Sequence, residues 1–252
     1  MIELAVALVI ISLLLGSILV PLNTQVESRN YADTQRILER AREALLGYAA
    51  ANGRFPCPAS AGTNGVEDGN PVTGVCNIAT VLGANVYYGF LPAVTLGLTP
   101  VDAGGFAVDA WGLPQNRIRY AVSSLPFGNP TFTKPGGMKS VGMSAIAALT
   151  NLLYVCNSGT GVTGTNCNTA VTLASSVPVV VWSVGPNAAT SGGVSVDEKQ
   201  NPNPTAGFSA DRIFVSKVKS GAPGDANEFD DLVTWIGAPT LFNRLIAAGQ
   251  LP

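Results

Sequence analysis

The start of the chain decides the fold, and residues 1–53 read MIELAVALVIISLLLGSILVPLNTQVESRNYADTQRILERAREALLGYAAANG. Leu4 to Val26 carries no charge, and about 20 successive apolar residues are enough for a helix to cross a bilayer. A secretory signal peptide would begin with basic residues, whereas the only charge before this apolar run is Glu3. We therefore predict a membrane-spanning helix over residues 1–22.

Beyond Pro21 the pattern becomes amphipathic while the helical signal continues. Ile37, Ala41 and Leu45 recur at helical spacing, which predicts that one face of the helix packs on a domain. Asn52-Gly53 supplies a stop, because glycine accepts the left-handed conformation that closes a helix. Residues 1–53 are thus expected to form one long helix, and Pro21 is expected to kink or loosen it.

The remaining residues, 54–252, are expected to form one globular region. A connection rich in glycine, asparagine and proline leads from Arg54 to about Ala110. The sequence predicts an α+β fold in which the long N-terminal helix, half membrane-spanning and half amphipathic, packs on an antiparallel sheet domain with long loops. The predicted elements of that domain are strands at Ile118–Val122, Val177–Val184, Arg212–Val218 and Leu232–Ile236, and a helix at Thr240–Ala248.

The composition excludes several classes of function. The chain has 252 residues, with 14 Lys and Arg against 16 Asp and Glu, so it lacks the basic face that nucleic acid recognition requires. It has no histidine, which excludes Ser-His-Asp and Cys-His catalysis and histidine-based zinc sites. No nucleophile has a recognisable activating base. We therefore do not expect an enzyme.

All four cysteines lie outside the apolar run. An even number of cysteines in an exported region predicts two disulfides, each between neighbours in the sequence. Zinc is the first alternative, although the spacings contain no Cys-x-x-Cys pair. Buried free thiols are the second. The cysteines concerned are Cys57, Cys76, Cys156 and Cys167.

Two stretches carry a resemblance to a known family. Met1-Ile2-Glu3-Leu4, followed by the apolar run with Pro21 at its far end, resembles the N-terminus of a class III prepilin after leader removal. That family comprises the type IV pilins and the pseudopilins of type II secretion. Asp109-Ala110-Trp111-Gly112-Leu113-Pro114 is similar to the pseudopilin turn that enters the first strand of the sheet.

The resemblance implies a structural subunit of a type IV pilus-like filament. Such a chain is first held in the bacterial inner membrane as a precursor, where a prepilin peptidase trims and methylates it. The pilus assembly machinery then polymerises it into a filament on the cell surface, with the apolar helix halves in the core. A pseudopilin of a secretion system, or a membrane-anchored monomeric binding protein with an exported domain, is the alternative.

Glu3 is the candidate assembly residue, together with Pro21. An ionised carboxylate within an apolar bundle is costly unless it is paired. We expect Glu3 to pair with the N-terminal amine of a neighbouring subunit. The alternative is that Glu3 only favours the start of the helix, where negative charge is stabilising.

An acidic loop precedes Trp235 and contains Asp225, Glu228, Asp230 and Asp231. Hard oxygen ligands gathered on a loop suit calcium. The resemblance adds that major pseudopilins hold calcium between a glycine-containing turn, to which Gly185-Pro186 is similar, and a terminal stretch that contains tryptophan. We therefore predict a calcium site here, with a solvated acidic loop as the alternative.

Overall fold

The computed structural model describes residues 2–78, 86–112, 114–124, 132–142, 152–188, 193–202 and 211–251, without the side chains of residues 2, 13–23, 114 and 141. The helices of these ranges are α1 (Ile2–Asn52), α2 (Gly137–Val141) and α3 (Ala238–Ala247). The strands are β1 (Val86–Phe90), β2 (Arg119–Ser123), β3 (Leu153–Cys156), β4 (Thr172–Val177), β5 (Val179–Ser183), β6 (Ile213–Val215) and β7 (Leu232–Ile236).

Helix α1 has the amphipathic second half that the sequence predicts. It ends where Gly53 takes the left-handed conformation, with φ at 63°, and the Gly53 amide donates to the Ala49 carbonyl at 2.8 Å. The helix continues through Pro21, whose side chain lies outside those described. The apolar residues of its buried face are Leu38, Ala41, Leu45, Leu46 and Ala49, and Thr34 is buried one turn before them.

The prediction of a membrane-spanning half is wrong. Among the residues that the structure describes, no helix combines the length and the apolar character that crossing a bilayer requires. A span takes about 20 consecutive apolar residues, and in residues 24–52 charged side chains interrupt every such stretch. These are Glu27, Arg29, Asp33, Arg36, Glu39, Arg40, Arg42 and Glu43.

The first sheet has the strand order β1-β2-β5-β7, and all its pairs are antiparallel. Strand β5 alternates between two cores, because Val179 and Val181 face helix α1 whereas Val180 and Trp182 face the second sheet. Burial on both faces explains why this strand is apolar at successive positions instead of alternating with polar residues.

The second sheet has the order β4-β3-β6 and is mixed. Strand β4 pairs with β3 antiparallel, but β6 pairs with β3 parallel, which differs from the predicted antiparallel domain. The run Val177–Val184, predicted as one strand, is divided at Pro178 between β4 and β5, which belong to different sheets. The result is three layers, with helix α1 on one side of the first sheet and the second sheet on the other.

The prediction of two disulfides is confirmed. Cys57 is bonded to Cys76 and Cys156 to Cys167, so each bond joins cysteines that are neighbours in the sequence. The first bond closes the connection that follows helix α1. The second closes a surface loop that leads from strand β3 toward β4.

Candidate metal centre

Two turns that are distant in sequence bring carboxylates to the same place. One turn closes where Ser220 and Phe229 exchange backbone hydrogen bonds of 3.0 and 2.8 Å. Asp230 and Asp231 follow directly and lead into strand β7. The other is a 3-10 turn that begins at Glu198. The pairing of Ser220 with Phe229 thus fixes the point at which the two aspartates enter the structure.

Glu198, Asp230 and Asp231 form a group that we call the acidic centre. Each offers a carboxylate oxygen, and these oxygens lie within 4.8 Å of one another. The exposed fractions of the three residues are 1%, 5% and 8%. Within the described ranges, no lysine or arginine forms an ion pair with any of them. The acidic centre therefore gathers three buried carboxyl groups, and none of the described lysines or arginines forms an ion pair with them.

Hydrogen bonds satisfy only part of the acidic centre. The Asp230 amide donates to Glu198 Oε1 at 3.0 Å, and Asn201 Nδ2 donates to Asp231 Oδ2 at 2.8 Å. Asp230 Oδ1, in contrast, is buried and has no hydrogen-bond partner among the residues that the structure describes. A buried acceptor without a partner carries a desolvation cost of roughly 1–3 kcal/mol, and more when it is charged. A cation at this oxygen would offset that cost.

The electrostatics of the acidic centre favour either a proton or a cation. Burial raises the pKa of Asp230 to about 8, and the negative charges of Glu198 and Glu228 add to this effect. Burial also raises the pKa of Asp231 well above its usual range, and it raises the pKa of Glu198. In each case the unsolvated negative charge makes the ionised form unfavourable, and a bound cation would reverse this preference.

The ligand set fits calcium better than a transition metal. It consists of carboxylate oxygens alone, which are hard ligands. Oxygens that share one calcium ion lie about 2.3–2.6 Å from it, so no two of them are more than about 5 Å apart. The acidic centre meets this condition, since its oxygens lie within 4.8 Å of one another. Asp230 Oδ1 supplies a ligand atom to which none of the described residues donates a hydrogen bond.

Two glycines leave room for the carboxylates. A side chain at Gly185 would place its Cβ 2.4 Å from Asp230 Oδ1, and one at Gly193 would place its Cβ 1.6 Å from Glu198 Oε2. Both positions have positive φ, at 66° and 92°, which L side chains rarely adopt. Glycine is therefore required at both positions for the carboxylates to lie where they do.

A pocket of about 370 Å³ reaches the acidic centre from the side of helix α1. It lies between α1, strand β7 and residues 216–218, and Asp231 is one of its lining residues. Gln35, Glu39 and Lys217 contribute the polar groups around it. The pocket therefore borders the acidic centre at Asp231.

The structure brings together only some of the predicted calcium ligands. Asp230 and Asp231 belong to the acidic centre. Glu228 lies beside it, because Asn187 Nδ2 donates to Glu228 Oε1 at 3.2 Å and also to Glu198 at 3.4 Å. Asp225 is exposed and instead accepts a hydrogen bond of 3.1 Å from the Ala222 amide within its own turn. The sequence analysis did not identify Glu198 as a ligand.

The predicted assembly residues stand apart from the acidic centre. Glu3 is exposed on helix α1, and no hydrogen bond or ion pair joins it to another described residue. Met1, whose amine belongs to the expected pairing between subunits, and the Pro21 side chain lie outside what is described.

Comparisons with known proteins identify no relative of this chain. No family model matches the chain, no curated protein matches it, and no solved structure matches it.

Proposed function

We propose that the chain is a structural subunit of an extracellular filament of the type IV pilus kind. One observation carries this proposal, which is the apolar start of helix α1. Leu4, Leu8 and Ile11 are 68%, 59% and 52% exposed, although their side chains are as apolar as those of a protein core. Contiguous exposed apolar surface of this kind marks an interaction site. The proposed partner is a set of further copies of the same chain.

The distribution of these side chains favours several neighbours over one. At 3.6 residues per turn, Leu4, Leu8 and Ile11 share one face of the helix, whereas Val6 and Ile10 project from the opposite face. Val6 and Ile10 are both 52% exposed. A single partner helix covers one stripe only. A bundle of helices covers the whole circumference, as a filament core requires.

Glu3 contributes the one charge of this segment. In a bundle of apolar helices its carboxylate needs a partner of opposite charge. The N-terminal amine of an adjacent copy, exposed after a prepilin peptidase removes a leader, would supply that charge and fix the axial position of each new subunit. The disulfides are consistent with an exported chain, because such bonds persist in oxidising compartments.

The acidic centre adds a second component to the proposal. It would hold calcium, with Glu198, Asp230 and Asp231 as ligands, and the bound ion would neutralise the buried charge and stabilise the globular part. The same centre also supports a second candidate function, in which the chain is an exported monomeric cation-binding protein. In the pseudopilin alternative, the same apolar segment would place the chain in the filament of a secretion system.

Electron microscopy of material sheared from the cell surface tests the filament proposal. The producing cells need a prepilin peptidase and a pilus assembly machinery. We expect filaments with this chain as the main component, and we expect Val9→Asp to abolish them, because it places a charge in the apolar core of the bundle. Val72→Asp is the matched control, since both valines are exposed, at 56% and 76%, and only Val9 lies on α1.

Three outcomes separate the candidates. If the Val9→Asp variant still forms filaments, the apolar segment of α1 does not mediate assembly. Absence of filaments from the unsubstituted chain, combined with calcium binding measured by calorimetry, would select the monomeric cation-binding protein. Loss of filaments in both variants would show that exposed valines in general, and not this helix face, are required.

A further inference from the structure

Lys217 and Asp197 form an ion pair outside the acidic centre. Lys217 lies two residues beyond strand β6, and Asp197 directly precedes the 3-10 turn that begins at Glu198. Their side chains are 25% and 12% exposed, whereas those of the ion pair between Lys219 and Glu27 are 44% and 43% exposed. The ion pair of Lys217 with Asp197 is therefore the better protected of these two from water.

The two oxygens of the Asp197 carboxylate have different partners. Lys217 Nζ contacts Oδ2. Oδ1 accepts hydrogen bonds of 2.6 Å from the Gly159 amide and 2.9 Å from the Ser158 hydroxyl. Gly159 can approach this closely because it has no Cβ, which would lie 2.5 Å from the Val196 carbonyl oxygen. One carboxylate oxygen thus contacts an amine, and two fixed donors bind the other.

The nitrogen of Lys217 also lies against an apolar surface. It is 5.4 Å from the centre of the Phe229 ring, and Phe229 is fully buried. Two reactive groups that the fold holds in contact behave as if each were present at a very high concentration around the other. The fold therefore meets the positional requirement for a reaction between the amine and the carboxyl group.

An ammonium–carboxylate pair contains all the atoms of an amide and one water molecule. Transfer of one proton from Nζ to Oδ2 gives a neutral amine beside a carboxylic acid. Attack of Nζ on Cγ forms the new C–N bond and places negative charge on Oδ1, where the Gly159 amide and the Ser158 hydroxyl would stabilise it as the donors of an oxyanion hole do. The bond between Cγ and Oδ2 then breaks, and Oδ2 leaves as water with two of the three Nζ protons. The reaction needs no external co-reactant.

We propose that Lys217 and Asp197 condense to an intramolecular isopeptide bond between Nζ and Cγ, with release of water. The bond would join the segment that follows strand β6 to the turn before Glu198 and close a covalent ring over residues 197–217. The inference goes beyond the proposed filament and the calcium centre, because neither takes part in the reaction.

The charged form of the pair sets the pace of this reaction. Burial raises the pKa of Asp197, but hydrogen bonds from Lys217, Gly159 and Ser158 outweigh this effect and lower it. The neutral pair is therefore the minor form, and we expect the condensation to be slow compared with folding.

Intact-mass spectrometry of the full chain tests the bond. The chain is produced without a prepilin peptidase, so that its N-terminus is unmodified, and it is kept until its mass no longer changes before its disulfides are reduced. We expect the mass to be lower than the mass calculated from the sequence by one water molecule, and proteolysis to release a branched peptide that contains both Lys217 and Asp197. A mass equal to the calculated one would overturn the proposal, as would a loss of water located at other residues.

Three variants identify the groups that react. Lys217→Arg keeps the positive charge but removes the amine, so its mass should equal the calculated one. Lys219→Arg is the matched control, because its ion pair with Glu27 is exposed, and it should still lose one water. Ser158→Ala keeps both reacting groups and should form the bond at least about tenfold more slowly after refolding, because it removes one donor to Oδ1. Loss of water that persists in Lys217→Arg would overturn the assignment, and an unchanged rate in Ser158→Ala would overturn the role of the two donors.

Discussion

Gly193 determines whether Glu198 can join the acidic centre. Alanine at this position would clash with Glu198 Oε2, which lies 1.6 Å from the site of its Cβ. We expect Gly193→Ala to weaken calcium binding at least tenfold in a calorimetric titration, because it displaces one of three carboxylates. Gly97→Ala is the control, since Gly97 also has positive φ but has no atom within 4 Å of its Cβ site. Equal losses of affinity in the two variants would mean that backbone strain, and not the carboxylate, is responsible.

Two buried arginines differ in their partners. Arg54 donates two hydrogen bonds of 2.8 Å to Glu67. Among the described residues, Arg119 Nε has no hydrogen-bond partner, and the guanidinium has only the Gln115 carbonyl as an acceptor, at 3.3 Å, besides a contact with the Phe90 ring. Burial lowers the pKa of Arg119 to about 10, and the charge of Arg117 adds to this effect. The buried guanidinium of Arg54 is therefore well paired, whereas that of Arg119 keeps few hydrogen bonds.

Substitution of these arginines by methionine should have opposite effects. Arg54→Met leaves the Glu67 carboxylate buried without its partner and should lower the free energy of unfolding by about 3 kcal/mol. Arg119→Met removes an unsatisfied donor and a buried charge, so the free energy of unfolding should be unchanged or higher. Urea unfolding followed by circular dichroism measures both. A comparable loss in the two variants would contradict the difference in pairing.

Glu198 shows why the sequence indicated the acidic centre only in part. Asp230 and Asp231 were predicted because four acids cluster within a few residues of one another. Glu198 lies 32 residues before Asp230 and reaches it only through the fold, by a hydrogen bond from the Asp230 amide. Its one sequence signal is that Asp197-Glu198 directly follows a long uncharged stretch that ends at Val196. Proximity along the chain also selected Asp225, which the structure places outside the acidic centre, where its carboxylate caps its own turn.

At the scale of elements, the disulfide Cys57–Cys76 restrains the long connection after helix α1. It closes a loop over a sequence separation of 19, and Cys156–Cys167 closes one of 11. The chain-entropy relation gives about 3 kcal/mol of stabilisation for loops of either length. We expect Cys57→Ala combined with Cys76→Ala to lower the free energy of unfolding by that amount in urea titrations, and the Cys156 and Cys167 pair to give a similar loss. A pair of substitutions without effect would show that its loop is restrained by packing alone.

Strands β4 and β5 show which features of an element the sequence specifies. The apolar run around Val180 predicted a strand, and β5 is present there. The boundary was wrong, because Ser176 adopts positive φ at 55° and Pro178 provides no amide donor, so Val177 belongs to another sheet. Local composition predicted that a strand exists. The sheet to which each residue belongs depends on partners elsewhere in the chain.

At the scale of the whole molecule, the acidic centre should make stability depend on pH. The pKa of Asp230 is raised from 3.8 to about 8, so the folded chain holds a proton that the unfolded chain releases. Stability from this group is complete below about pH 4 and is lost as the pH rises toward 8. In chelator, we therefore expect a lower Tm at pH 8 than at pH 5. Added calcium should remove this fall at pH 8, and a Tm that rises with pH in chelator would contradict the prediction.

Helix α1 shows how far the pattern of apolar residues along a helix predicts what surrounds that helix. Helical periodicity in its second half predicted the buried face, because burial of one stripe requires a recurrent apolar position. The continuous apolar run at its start predicted a membrane span, and this is wrong for the residues that the structure describes, none of whose helices could cross a bilayer. An apolar run predicts that a segment is shielded from water. It does not show whether lipid or other helices provide the shielding.

The packing of helix α1 also has a mechanical consequence. Its buried side chains, from Leu38 to Ala49, lie side by side along the helix axis against the first sheet. A pulling force on the N-terminal end acts along that axis and loads these contacts together in shear, so none can peel away ahead of the others. If force is transmitted beyond the end of the helix at Gly53, it reaches Cys57 only four residues further along the chain. There the disulfide to Cys76 links the chain covalently. A pull on the N-terminal end would therefore have to break the whole contact between helix α1 and the first sheet at once before the globular part could extend.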